Sequence, residues 1–305
     1  MAGVAPVADA RSARSPSGSL VSILTPSYNQ RRWLAQTVES VARQTYEHVE
    51  HIVVDGGSTD GSVEFLRETL SPERWTSEPD RGQSDALNKA FARSRGEIIG
   101  WLNSDDAYLF DNAVESAVAH FAANPLADVV YGHAALMSED DRLLHAMWAP
   151  RFDRRRLERF NFIVQPTVFM RRHVLEDLFA DESFHYTMDR ELWLRLSRRH
   201  AFSRIDTVLA IDRHQAERKS YARPDLADAE RTRLAEMYGL PTGRLLDAER
   251  RARKIVYRFR GAGVALSLRE EGRAFEWTVD GRLRLLARQL AMKRGFMARR
   301  EATLG

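Results

Sequence analysis

The sequence predicts an α/β fold: a mostly parallel sheet flanked by helices, with a helical C-terminal extension. Three observations predict it. Short apolar runs alternate with segments of helical periodicity from Leu20 to Tyr131, the pattern of βαβ units. Three of those runs end in polar, turn-forming clusters, TPSYN, DGGSTDG and NSDD. Ligands of parallel sheets gather beyond the carboxyl ends of the strands, where such clusters would lie. Hydrophobic residues make up 44% of the 305 positions, enough for a sizeable core.

The elements follow in order. Leu20 to Thr25 (LVSILT) reads as a buried strand closed by Pro26. Arg32 to Gln44 places Trp33, Leu34, Val38, Val41 and Ala42 on one helical stripe. His51 to Val54 is a second strand that stops at Asp55-Gly56-Gly57, and Ser58 to Gly61 starts a helix continuing through Val63, Phe65 and Leu66. Ser84 to Arg93 is helical, Glu97 to Asn103 is a strand stopped by Ser104-Asp105-Asp106, Asp111 to Phe121 is helical, and Asp128 to Tyr131 begins a strand. Leu143 to Trp148 and Phe162 to Met170 read as strands or extended loops. Met188 to Arg198 reads as a helix with Leu192, Trp193 and Leu196 inward, and Phe202 to Ile211 as a strand. From Asp225 the chain reads as helical and Arg-rich, broken at Gly239–Gly243, Gly261–Gly263 and Gly272.

Charge divides the chain unevenly. Sixteen Lys+Arg against seven Asp+Glu follow residue 240 in a chain of net charge +3, so the first 240 residues carry −6. An acidic body with a basic tail argues against a nucleic-acid binder, whose basic surface belongs on its folded domain. The absence of cysteine excludes disulfides, thiolate nucleophiles, iron–sulfur clusters and cysteine-ligated zinc. The apolar runs fall far short of the roughly 18 residues that span a bilayer. Residues 1–19, biased to Ala, Ser, Pro and Arg without a continuous apolar stretch, read as a flexible tail. The expectation is a cytoplasmic protein. Arg250, Arg251, Arg253, Lys254, Arg258 and Arg260, interleaved with Ile255, Val256, Tyr257 and Phe259, could lie on an anionic membrane surface. A helix packed on the body, or a contact between copies of the chain, is the alternative.

Two motifs suit nucleotide and metal chemistry. In IVVDGGSTDGS, Asp55 at a strand end can accept hydrogen bonds from a ribose or base, while the glycines admit close approach. An Asp-Gly turn with a capped helix explains the same residues structurally. In WLNSDDA, adjacent carboxylates at a strand end suit a hard divalent cation bridging phosphates, or the cap of the next helix. Asp80-Arg81-Gly82-Gln83 with Asn88 and Lys89 is a polar loop entering a helix. His214 in DRHQAERKS is flanked by Arg213, Arg218, Lys219 and Ser220, the composition of a phosphate clamp.

Together, SILTPSYNQRRWLAQTVESVARQTYEHVEHIVVDGGSTDGS and SEPDRGQSDALNKAFARSRGEIIGWLNSDD resemble the family-2 glycosyltransferases of the GT-A fold, a Rossmann-like nucleotide-diphospho-sugar transferase sheet. The resemblance runs from about Val21 to Ser220. It implies a catalytic domain over 20–222, with a nucleotide-sugar half (20–106) and an acceptor half (107–222), before a basic helical extension (223–305). It implies that Thr25, Pro26 and Tyr28 pack around the nucleotide, that Asp55 contacts the uracil or its ribose, and that Asp80, with Arg81 and Lys89 beside it, edges the base. Ser104 and Asp105 lie in the D-x-D segment, whose first acidic position is here Asn103. The resemblance makes Asp105 the ligand of Mg²⁺ or Mn²⁺, Asp106 a secondary ligand, His214 a neighbour of the metal and Arg213 part of the loop over the diphosphate. Asp189, in YTMDRELWLRL, matches the catalytic base; a helix cap is its structural alternative. QPTVFMRR resembles the lining of the acceptor pocket.

The implied activity is an inverting, metal-dependent transfer of a sugar from a nucleotide-sugar, UDP before dTDP or GDP. The acceptor is a glycan, a lipid-linked intermediate, a protein or a secondary metabolite. Competing readings are a non-catalytic nucleotide-sugar binder and a nucleotidyltransferase, which needs a glycine-rich triphosphate loop after its first strand. A dinucleotide oxidoreductase lacks its GxGxxG here.

Overall fold

Residues 18–139, 141, 143–175, 179–215, 224–243, 246 and 248 are described in this computed structural model. Arg218, Lys219, Ser220 and the basic stretch 250–260 lie outside them, as do residues 1–17.

The chain builds β1 (Val21–Ser27), α1 (Arg31–Ala42), β2 (Val49–Asp55), α2 (Ser62–Thr69), β3 (Trp75–Ser77), α3 (Gln83–Arg93) and β4 (Ile98–Trp101). It continues through β5 (Ala107–Tyr108), α4 (Ala113–Ala123), β6 (Val129–Ser138), β7 (Leu143–Met147), α5 (Arg154–Arg159) and β8 (Phe169–Arg171). Then come α6 (Met188–Leu196), β9 (Phe202–His214) and α7 (Pro224–Tyr238). The nine strands form one sheet in the order β3-β2-β1-β4-β8-β6-β9-β5, with β7 added to β6. The first four are parallel; β8 runs antiparallel between β4 and β6, and β6 pairs parallel with β9. Winding proceeds outward from β1 through β2 and β3, then returns to place β4 on the other side of β1. In sheets of this kind such a reversal marks the ligand crevice, beyond the carboxyl ends of β1 and β4.

Period-2 alternation decides the layers. Leu24, Ile52, Val54, Ile99 and Trp101 face Leu87, Ala90 and Phe91 of α3, together with Leu192, Trp193 and Leu196 of α6. Val21, Ile23 and Ile98 face the opposite way, onto Val114, Ala117, Val118 and Phe121 of α4. Leu234 and Leu240 belong to the α3–α6 core. The start of the expected C-terminal extension is therefore integral to the body.

Several boundaries differ from expectation for identifiable reasons. Pro26 does not close the first strand; it lies inside β1, opposite Val54. Leu24 accepts the Leu102 N–H on the β4 side, and the β1–β4 register ends at Leu24 and Trp101. Two residues on, Pro26 faces that same side beyond the last partner, so its missing N–H breaks no ladder bond. Phe162 to Met170 is mostly not strand. Pro166 and the Thr167 hydroxyl, which donates to the Val164 carbonyl at 2.7 Å, hold Gln165–Thr167 in a 3₁₀ turn, and only Phe169–Arg171 joins the sheet.

Candidate active site

The loops after β1 and β2 are joined by side chains. Asn29, at φ 51°, accepts the Thr59 N–H on Oδ1 at 2.9 Å, and its own N–H donates to Ser58 Oγ at 2.7 Å. Asp60 accepts the Arg31 N–H at 2.8 Å. Asp55 has no exposed surface. Its Oδ1 accepts from the N–H groups of Gly57 and Ser58 and from Ser77 Oγ, while Oδ2 accepts from Ser58 Oγ at 2.6 Å. Four donors make this carboxylate the anchor of its own loop. Above it, Gly56 lets the side chains of Asp80 and Tyr28 close directly onto the backbone. A Cβ there would stand 2.6 Å from Asp80 Oδ2 and 3.2 Å from the ring of Tyr28, which is 60% exposed. An aromatic face and a carboxylate flanking bare backbone suit a planar, hydrogen-bonding base.

Other residues expected at the nucleotide have partners within the protein. The Thr25 side chain is fully buried, bonded at 2.9 Å to Nε2 of His51. Burial, helped by the charge of Arg74, lowers His51 to about 3, so the imidazole is neutral. Pro26 is a buried strand residue. Arg81 pairs with Glu182 at 2.7 Å and Asp85 at 3.2 Å, and Lys89 pairs with Glu78 at 3.0 Å and Asp85 at 3.4 Å. Burial would raise the Asp85 carboxyl, but hydrogen bonds from Arg81 and the charges of Lys89 and Arg81 hold it below the ordinary carboxylate range. Both cations brace the entrance to α3.

The loop after β4 is organised by Asn103. Its Oδ1 accepts from Gln83 Nε2 at 2.7 Å and Trp101 Nε1 at 2.8 Å; its Nδ2 donates to Gln165 Oε1 at 2.8 Å and Asp106 Oδ2 at 3.2 Å. All four bonding positions of the amide are used. A carboxylate could not make the last two, which explains the departure from an acidic residue. The single hydroxyl hydrogen of Thr37 in α1 is shared between the carbonyls of Ser104 and Asp106, which lie 2.9 and 2.7 Å from its Oγ1. Asp106 is 4% exposed, with Oδ1 accepting the Arg213 N–H at 3.0 Å and Oδ2 accepting from Asn103. It acts as a strut between loops. Asp105 is less buried, and its Oδ2 accepts from Gln215 Nε2 at 2.6 Å.

Arg213, expected to reach the diphosphate, turns inward. Its guanidinium stacks 4.3 Å over Trp33 and donates to the Asp105 and Ser138 carbonyls at 3.0 Å, to Gln36 and to Asp141. It ties the end of β9 to α1 and to the end of β6. His214, next along β9, is exposed. Gln215, within the DRHQAERKS motif, donates to Asp105. A lone Gln after a conspicuous Arg-His pair carries no charge signal.

On the acceptor side, Asp189 lies in the first turn of α6, and its Oδ2 accepts from Asn161 Nδ2 at 2.8 Å. Thr187 holds the cap position. The segment bearing Asn161 also carries Gln165, so one stretch of chain connects Asp189 to Asn103. Glu230 of α7 accepts the N–H groups of His185, Tyr186 and Thr187 at 2.7, 2.8 and 3.0 Å. Neither Asn161 nor Glu230 stood out in the sequence, because each works through a partner distant along the chain.

The fold is shared with solved glycosyltransferases. S. aureus TarS 1-349 in complex with UDP-GlcNAc superposes with a TM-score of 0.57 at 16% identity, over 73% of this chain and 68% of that one. The mannosyltransferase PcManGT from Pyrobaculum calidifontis, in complex with GDP-Man and Mn²⁺, gives 0.55 at 18% identity, over 90% and 80%. Among curated relatives, an uncharacterized glycosyltransferase of Mycobacterium tuberculosis is 40% identical over 105 residues, 33% of this chain and 40% of that protein. The chondroitin synthase of Pasteurella multocida is 29% identical over 208 residues, 67% of this chain but 21% of its own length. The chain therefore spans well under two thirds of these relatives. The family model of glycosyl transferase family 2 matches residues 22–179, more than half of the chain and every loop at the crevice except those of α6 and β9, and the chain belongs to that family.

Proposed function

We propose that the chain transfers a sugar, with inversion, from a nucleotide-sugar to an acceptor hydroxyl, with UDP as the first carrier to test. The observation that carries this reading is the meeting of Tyr28 and Asp80 over Gly56, with Asp189 tied to the loop of Asp105 through Asn161, Gln165 and Asn103. The solved complexes support the donor class, since their ligands are UDP-GlcNAc and GDP-Man. In this reading the base stacks on Tyr28 and is edged by Asp80, while Asp55 holds the loop without touching the ligand. Arg213, Thr25, Arg81 and Lys89 shape the site from behind.

The donor set fits a hard cation. Asp105 offers carboxylate oxygen at the crevice, and His214 ends the adjoining strand; Asp106, with both oxygens engaged, is left out of the ligand set. Mg²⁺ or Mn²⁺ held there supplies stabilisation of charge on the departing diphosphate. Asp189 takes the acceptor's proton as the new bond to the anomeric carbon forms and the bond to the diphosphate breaks on the opposite face. We place the catalytic unit over residues 20–240, since Leu234 and Leu240 complete its core.

The test is nucleoside diphosphate release from a panel of nucleotide-sugars with glycan and lipid-linked acceptors. Wild type with Mn²⁺ should turn over, and Asp105→Asn should retain the fold yet lose most turnover. Full activity of that variant, or of wild type in excess chelator, overturns the metal assignment. Donor binding without any release would favour the non-catalytic reading.

A further inference from the structure

At the other end of the sheet, three metal-ligating side chains meet. Asp128 precedes β6, His173 follows β8 in a 3₁₀ turn (Arg172–Val174), and His200 precedes β9. Their ligand atoms all lie within 4.8 Å of one another. His173 Nε2 is 3.2 Å from Asp128 Oδ1, and His200 Nδ1 is 3.4 Å from Asp128 Oδ2. Each imidazole nitrogen thus stands beside a different oxygen of the one carboxylate, and tetrahedral coordination with bonds of about 2.0–2.1 Å, which sets neighbouring ligand atoms about 3.3–3.4 Å apart, requires one of those oxygens to serve both.

The three segments are fixed by backbone. The N–H groups of Asp128 and Val129 both reach the Ala201 carbonyl, at 2.9 and 3.0 Å, and the Arg171 N–H reaches the Asp128 carbonyl at 2.9 Å. The Ala201 N–H donates to Asp128 Oδ2 at 3.1 Å and orients the carboxylate. The His173 side chain is 62% exposed, against 23% for Asp128 and 19% for His200. The cluster is thus rigid behind and open in front, leaving room for an exchangeable fourth ligand. Among the described residues, nothing at the crevice uses it. Ser138, which touches Arg213, ends the ten-residue strand that begins beside Asp128, a span of roughly 30 Å.

We propose that Asp128, His173 and His200 bind a late first-row divalent cation, Zn²⁺ foremost, which fastens the starts of β6 and β9 to the end of β8. Two imidazoles and one carboxylate favour Zn²⁺ over the oxygen-preferring Mg²⁺ or Mn²⁺. The site is independent of the nucleotide reading.

The experiment uses chelator-stripped full-length protein without nucleotide. Zn²⁺ titration should give one site in both wild type and Asp105→Asn, with a rise in melting temperature, and Co²⁺ should give the visible absorption of a tetrahedral complex. His173→Ala and His200→Ala remove direct ligands, so each should weaken Zn²⁺ by more than the roughly 10–100-fold typical of outer-shell changes. Circular dichroism, and an unchanged melting temperature in chelator, show that these variants fold. Absence of a site in wild type, or unchanged Zn²⁺ affinity in the folded double variant, overturns the proposal.

Discussion

Asp189 and Asn103 show how much turns on single atoms. With Thr187 in the cap position, Asn at 189 removes no cap and keeps a polar partner for Asn161. Asp189→Asn should therefore leave stability nearly unchanged and donor affinity intact, while kcat falls by about two to four orders of magnitude. Steady-state kinetics at saturating donor checks this, and near-normal kcat would remove Asp189 from the role of base. The motifs announced Asp55, Asp105 and Asp106 as acidic residues at strand ends, but not how their oxygens are engaged. The Asp55 and Asp106 carboxylates look alike in sequence, but Asp55 anchors its own loop while Asp106 ties its loop to the end of β9. Which carboxylate faces the crevice is decided by Ser58, Asn103 and Gln215, ordinary polar residues whose partners only the fold brings near.

At the scale of elements, periodicity located the long helices and central strands, because each must turn one apolar face to a shared core. It missed β3, β5 and α5, of three, two and six residues, which are too short to display a period. The pairing of Glu191 with Arg195 at 3.1 Å follows directly from i,i+4 spacing. The role of α7 does not. Glu230 fixes, from a distant helix, the three residues that lead into α6. Glu230→Ala leaves three N–H groups without this partner and should cost about 1–3 kcal/mol. It should also lower kcat less than Asp189→Asn does. Denaturant unfolding alongside kinetics separates the two, and an unchanged midpoint would show that the carboxylate is dispensable.

Over the whole molecule, the mostly parallel sheet flanked by helices was legible as alternating apolar and helical segments, and three polar clusters marked the carboxyl ends of its strands. The antiparallel insertion of β8 was not. Its three residues are flanked by a turn fixed through Thr167 and Pro166, and the register with β4 and β6 is a long-range choice. The likeness in fold to the mannosyltransferase, over 90% of this chain at 18% identity, is a likeness of shape.

The amide at position 103 also sets a charge balance. With Asn103 neutral and Asp106 engaged by the Arg213 N–H and by Asn103, the proposed crevice site offers a divalent ion one negative oxygen donor, Asp105, and an uncharged imidazole. Its net charge stays positive once the ion is seated, and such sites complete their coordination with substrate phosphates. Cation and nucleoside diphosphate should then arrive as mutual prerequisites, each raising the other's affinity by the same factor. Mn²⁺ alone and UDP alone should each move the melting temperature of the His173→Ala, His200→Ala protein little, and the pair should move it by more than the sum. Additive shifts would mean that the protein alone holds the ion.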